Sequence, residues 1–150
     1  MNRIAAVLAG VWAGVLLCIG AVAAPSAFAT LASADAGRLI GRLLAQEASL
    51  SLALAMLLFV IERGRSRREA VAGSVLSVNL LLLLGTLFCT VAGYYAVQPM
   101  MAAARAGQGA WSFGALHAVS SGFFVLKGLL VLALAWRLAP AAVKTTATTS

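Results

Sequence analysis

Two charged residues sit where charge is costly. Lys127 lies near the middle of a long apolar run, and Glu47 lies inside another. A lysine at the centre of a membrane helix costs about 2.5–3.5 kcal/mol on insertion scales, so it requires a partner or a water-filled cavity. Glu47 is the leading partner. Counted from the chain ends of their runs, Lys127 stands about 15 Å from Arg137 and Glu47 about 22 Å from Glu62, an offset that long side chains can close. Ser51, one turn from Glu47, and Ser120, seven residues before Lys127, share faces with the pair. Asn79, Thr86, Thr90 and Gly93 form a stripe on a third run that faces a bundle interior, where they either bond across helices or line a polar path. Two roles for Glu47 and Lys127 stand side by side. One is a buried pair that sets helix register; the other, joined by Ser51 and Asn79, is a functional path.

A second constellation is softer. His117, the one histidine, joins Met100, Met101 and Cys89 as thinkable ligands for Cu(I), although methionine and cysteine in apolar helices usually serve packing. No metal or other cofactor is expected. Two cysteines inside apolar runs, with no CxxC, exclude a disulfide scaffold and a zinc knuckle. No phosphate loop, nucleophile elbow or carboxylate pair is present, so no enzymatic activity is expected.

The elements that must hold these residues follow from composition. Of 150 residues, 63% are hydrophobic and 10% charged, against about 45–50% and 25% in soluble domains. A chain this small has too little interior for so much apolar surface. The fold class is therefore an integral membrane, all-α, antiparallel four-helix bundle in a single domain. Its helices are expected at about 4–24, 39–62, 71–97 and 115–138, with a disordered tail at 145–150. Pro25 ends the first helix, and Asp35 caps a second one that opens at Ala36-Gly37. Residues 99–114, with Gly107 and Gly109, read as a flexible loop, and Trp111 and Phe113 as anchors at headgroup depth.

The net charge of +7 reports orientation rather than a nucleic-acid partner. Arg3, Arg63, Arg65, Arg67, Arg68, Arg137 and Lys144 fall on one side, and Arg38, Arg42 and Arg105 on the other. That asymmetry places both termini in the cytoplasm. The first run also resembles a signal peptide, with Ala21-Val22-Ala23 or Ala27-Phe28-Ala29 as cleavage site, but it is longer than a signal core of about 7–15 residues, and a retained helix is expected. Ala6, Gly10, Gly14 and Cys18, and likewise Gly85, Cys89 and Gly93, form small-residue ridges suited first to packing within the bundle and second to self-association.

Three short motifs carry a resemblance. Ala24-Pro25-x-x-Phe28, Ala36-Gly37-x-x-x-Gly41 and Leu116-His117-x-x-Ser120 resemble a family of small bacterial four-helix membrane proteins of unknown function, related to the eukaryotic transmembrane protein 205. The resemblance implies a four-helix bundle of the bacterial inner membrane, retention of the first helix, and an outer-face cluster of Pro25, Phe28, His117 and Ser120. Lys127 is not among the residues that carry it. Three functional readings follow: an accessory or scaffolding membrane protein, a small oligomeric carrier using Glu47 and Lys127, and copper handling at the outer face. The partners expected are the lipid bilayer and a second copy or another membrane protein.

Overall fold

The structure, a computed structural model, describes residues 2–69 and 77–139. They are helical almost throughout. Helix α1 (Asn2–Leu17) runs through a π-helical turn (Cys18–Ala23) into α2 (Ala24–Thr30). After a two-residue corner, α3 spans Ser33–Glu69. Helix α4 (Val78–Thr90) runs through a second π-helical turn (Val91–Ala96) into α5 (Val97–Arg105), and α6 covers Phe113–Leu138. Joined end to end, these give four spans long and apolar enough to cross a membrane: Arg3–Thr30, Ser33–Arg67, Val78–Arg105 and Phe113–Leu138. The end of the bundle with the 31–32 corner and the 106–112 loop is called the upper end below.

Neither Pro25 nor Pro99 breaks its helix. Pro25 was expected to end the first helix, and Pro99 to open a loop; both lie inside helical segments. A proline lacks an N–H, and its ring collides with the carbonyl four residues earlier. Those carbonyls belong to Ala21 and Tyr95, and each lies in one of the two π-helical turns. In the first, the Ala24 N–H reaches back five residues to Ile19. The widened turn moves the obstructing carbonyl aside and lets the rod continue. The loop thus shrinks to 106–112. It opens with a glycine at φ 72°, where Gln108 N–H bonds Ala103 O at 2.9 Å and Gly107 N–H bonds Ala104 O at 3.2 Å. That is a Schellman ending, which glycine adopts without steric cost.

The other boundaries also move. The second span starts at Ser33, earlier than 39, because Ala32 O accepts from Asp35 and Ala36 N–H. Asp35 therefore sits within the first turn, paired with Arg38, rather than capping. The fourth span starts where Ser112 accepts from Ala115 N–H at 3.2 Å. The start of the third expected helix and the tail, with Lys144, lie outside the described residues. Trp111, expected as an anchor, is exposed, and the Arg105 guanidinium lies 4.6 Å over the Phe113 ring.

The core fills the lower half. Trp12, Leu16, Leu58, Leu83, Val131 and Leu134 interlock there, with Ala5, Ala9, Ala13 and Ala55 letting the rods approach. The ridge of Ala6, Gly10, Gly14 and Cys18 was expected to do this packing, and it does not. Gly10, Gly14 and Cys18 are exposed, and a Cβ added at Gly10 or Gly14 meets nothing within 4 Å. The third-span ridge does pack. A Cβ on Gly93 would lie 2.4 Å from Phe123 Cβ, and one on Gly85 3.0 Å from Leu130 Cδ1.

Candidate functional site

Lys127 and Glu47 meet in the middle of the bundle. The ammonium donates to both carboxylate oxygens, at 2.8 and 2.7 Å, and the residues are 3% and 4% exposed. Two contacts to one carboxylate make the pair directional as well as charged. Ser51 Oγ donates to Glu47 Oε1, and the indole N–H of Trp12 donates to Ser51 Oγ at 2.9 Å. The resulting chain, Trp12 to Ser51 to Glu47 to Lys127, links the first, second and fourth spans. Leaving one such charge unpaired would cost about 3–5 kcal/mol. The sequence reading found three of the four members and missed Trp12, although a buried indole N–H ordinarily requires an acceptor.

Asn79 is not part of this chain. Its amide donates to Glu62 Oε1 at 2.8 Å, and its carbonyl accepts from Arg137 Nε at 2.9 Å. Arg65 lies 3.7 Å from Glu62. Glu62 stands fifteen residues beyond Glu47, about 22 Å along the helix. The path expected through Glu47, Lys127, Ser51 and Asn79 is therefore two separate clusters, the lower of which ties spans two, three and four. The threonines of the stripe are buried, but they bond their own helix: Thr86 to Leu83 O at 2.7 Å and Thr90 to Thr86 O at 2.8 Å. Beyond Asn79, the stripe's bond across helices passes through a glycine. Gly93 O accepts from Ser120 Oγ at 2.8 Å, within the second π-helical turn.

Above the ion pair the packing opens. A cavity of about 500 Å3 is bounded by all four spans, with Glu47 and Lys127 at its deep end. Its wall is mainly apolar and includes parts of both π-helical turns, Ile19 to Ala21 on one side and Gly93 and Tyr94 on the other. Leu17, Phe28, Val125 and Leu129 border it and are also exposed on the bundle's outer surface, so it opens sideways between the first and fourth spans. Phe28, His117 and Ser120 of the expected outer cluster do gather around it. Pro25 is not in its wall; its place is in the rod, two residues after the widened segment.

The four soft residues divide. Cys89, Met101 and His117 border the cavity, whereas Met100 is exposed and does not. Among the described residues no group of three His, Cys, Asp or Glu side chains is placed to hold a metal ion. The His117 ring stacks on Phe113 with centroids 5.9 Å apart, and Phe113 in turn carries the Arg105 guanidinium.

Residues 7–110 match a family described as a domain of unknown function, DUF4149. The chain belongs to the DUF4149 family. The matched stretch takes in the first three spans of this DUF4149 protein and ends in the loop before the fourth. Trp12, Glu47 and Ser51 thus fall inside it, and His117, Ser120 and Lys127 beyond it. No curated protein and no solved structure matches the chain. Family and fold together make it a multi-pass membrane protein, with four candidate membrane-crossing helices.

Proposed function

We propose that this DUF4149 protein is a small, non-enzymatic carrier of the bacterial inner membrane that binds a molecule in its upper cavity. The proposed bundle is antiparallel, with both termini cytoplasmic and the cavity in the outer half of the bilayer. The arginine asymmetry supports that orientation. The contact pairs Asn79–Arg137 and Gly93–Ser120, which run in opposite order along the third and fourth spans, support the arrangement. Kinship with relatives of transmembrane protein 205 belongs to the same proposal and rests on the three short motifs.

The observation that carries the function is the cavity itself. A bundle serving only as scaffold gains nothing from empty space beside a buried ion pair, since voids forfeit packing contacts. Here two of the four rods that wall the cavity depart from regular α-helix at its level, and such departures concentrate at functional sites. The scaffold reading draws on a different observation: every deep polar group among the described residues has a partner.

Cys89 separates the two readings, because it borders the cavity while Cys18 is exposed. In a Cys18→Ser background in proteoliposomes, N-ethylmaleimide modifies Cys89 if the cavity is open and wet. Replacing Gly128, whose added Cβ would project into open space beside the cavity, with Leu then suppresses the reaction. A Cys89 that stays unmodified until the protein unfolds favours the scaffold.

A further inference from the structure

The polar groups around the cavity fall into two classes. Those at depth are spent: Lys127 and Glu47 on each other, Thr90 on Thr86 O, Ser120 on Gly93 O. They form a floor that asks little of a ligand. At the level of Ser120 the side chains of Tyr94 and Ser121, and nearer the upper rim those of Gln98 and His117, border the same cavity, and among the described residues none of these four side chains makes a hydrogen bond. Arg105 stands two aromatic contacts away through Phe113 and His117, and it too has no carboxylate partner.

The electrostatics of that rim have one sign. Asp35, the acidic residue nearest the upper end in sequence, is engaged by Arg38, and Glu47 is engaged by Lys127. A chain of apolar wall therefore leads from an anion-attracting rim down to a self-satisfied floor. Its volume of about 500 Å3 lies within the roughly 300–1,000 Å3 of sites that hold small molecules.

We propose that the cavity takes a single-chain amphiphile with an anionic head, a carboxylate or phosphate on one acyl chain. The chain lies between Leu17, Phe124 and Val125 and enters sideways from the lipid; the head lies at the rim beside His117 and Gln98, with the Arg105 guanidinium beyond Phe113 supplying charge rather than contact. This rests on the cavity being a binding site. The head must supply the selectivity, because an acyl chain leaving lipid for a leucine-lined slot exchanges one apolar medium for another.

The test uses the full chain in nanodiscs of phosphatidylcholine, with tritiated palmitate as probe. Palmitate is expected to bind saturably, at least about tenfold more tightly than hexadecanol, which has the same chain and no charge. Arg105→Gln is expected to weaken palmitate binding severalfold, through the loss of charge, and to leave hexadecanol unchanged. Competition by palmitoyl-lysophosphatidylglycerol, set against palmitoyl-lysophosphatidylcholine, tells a lipid phosphate from a free carboxylate as the preferred head. Gly128→Leu, or Ala21→Leu on the opposite wall should the first fail to fold, is expected to abolish binding of both chains. Equal binding of palmitate and hexadecanol, or an Arg105→Gln variant that binds palmitate as before, overturns the anionic head while leaving the cavity a binding site. Binding of neither, together with an unreactive Cys89, overturns the carrier reading as well.

Discussion

The lower and upper halves of this bundle are built from the same four rods and similar residues, yet one is solid and the other is not. Below the Glu47–Lys127 pair, Trp12, Leu58, Leu83 and Leu134 interlock over alanines, and the Glu62–Asn79–Arg137 bridge ties three spans together. Above it, the first and third spans each widen into a π-helical turn ahead of a proline, and a cavity lies between them. The contrast shows how a membrane bundle makes room. It does not lengthen loops; it changes the winding of two helices at one depth and lines the space with small residues such as Gly20, Ala21 and Gly128.

The largest effect expected sits on the boundary between the halves. Glu47→Gln and Lys127→Met should each lower stability by about 3–5 kcal/mol, and the double variant should recover most of the loss, as thermal unfolding in detergent would show. Additive effects would mean that water from the cavity solvates the two charges separately. The next comparison applies the same truncation to each half. Leu58→Ala, in the solid core, should cost about 2–5 kcal/mol. Leu44→Ala, half-buried on the cavity wall above the pair, should cost less than about 2 kcal/mol, since it only enlarges a space already present. Equal losses would show that the upper half is packed as tightly as the lower.

The smallest of the three contrasts two glycines. Gly93→Ala drives a methyl group into Phe123 and should cost about 1–3 kcal/mol. Gly14→Ala meets open space and should be neutral, or stabilising by up to about 1 kcal/mol through helix propensity. A Gly14→Ala variant that is strongly destabilised would indicate that a second copy covers the outward ridge.

Much of the site was legible before the fold. A lysine in mid-membrane needs a counter-charge, four acidic residues offer few choices, and Glu47 stood at a compatible depth. Ser51 followed from its place one turn away. Trp12 did not, because nothing in a single helix shows which neighbouring span its N–H will face. Asn79 was given to the wrong cluster for a related reason. Its face was legible, but the same face can address an acid at either end of the second span, and the axial register between rods decided for Glu62.

Composition and run length determined, by themselves, a membrane protein of four apolar spans, since apolar stretches of that length have no other solvent in a chain this small. Charge burial, which is expensive wherever it occurs, determined the central pair. The tertiary structure alone decided which face of the first span turns inward, that Pro25 and Pro99 are carried through, and that the upper half holds a cavity. The physical reason is shared. In water an apolar stripe marks a helix's inner face, whereas in lipid every face is apolar and the stripe carries no such mark. Ala5, Ala9 and Trp12 could then be told from Ala6, Gly10 and Gly14 only by fitting the rods together, and the space left over became visible in the same step.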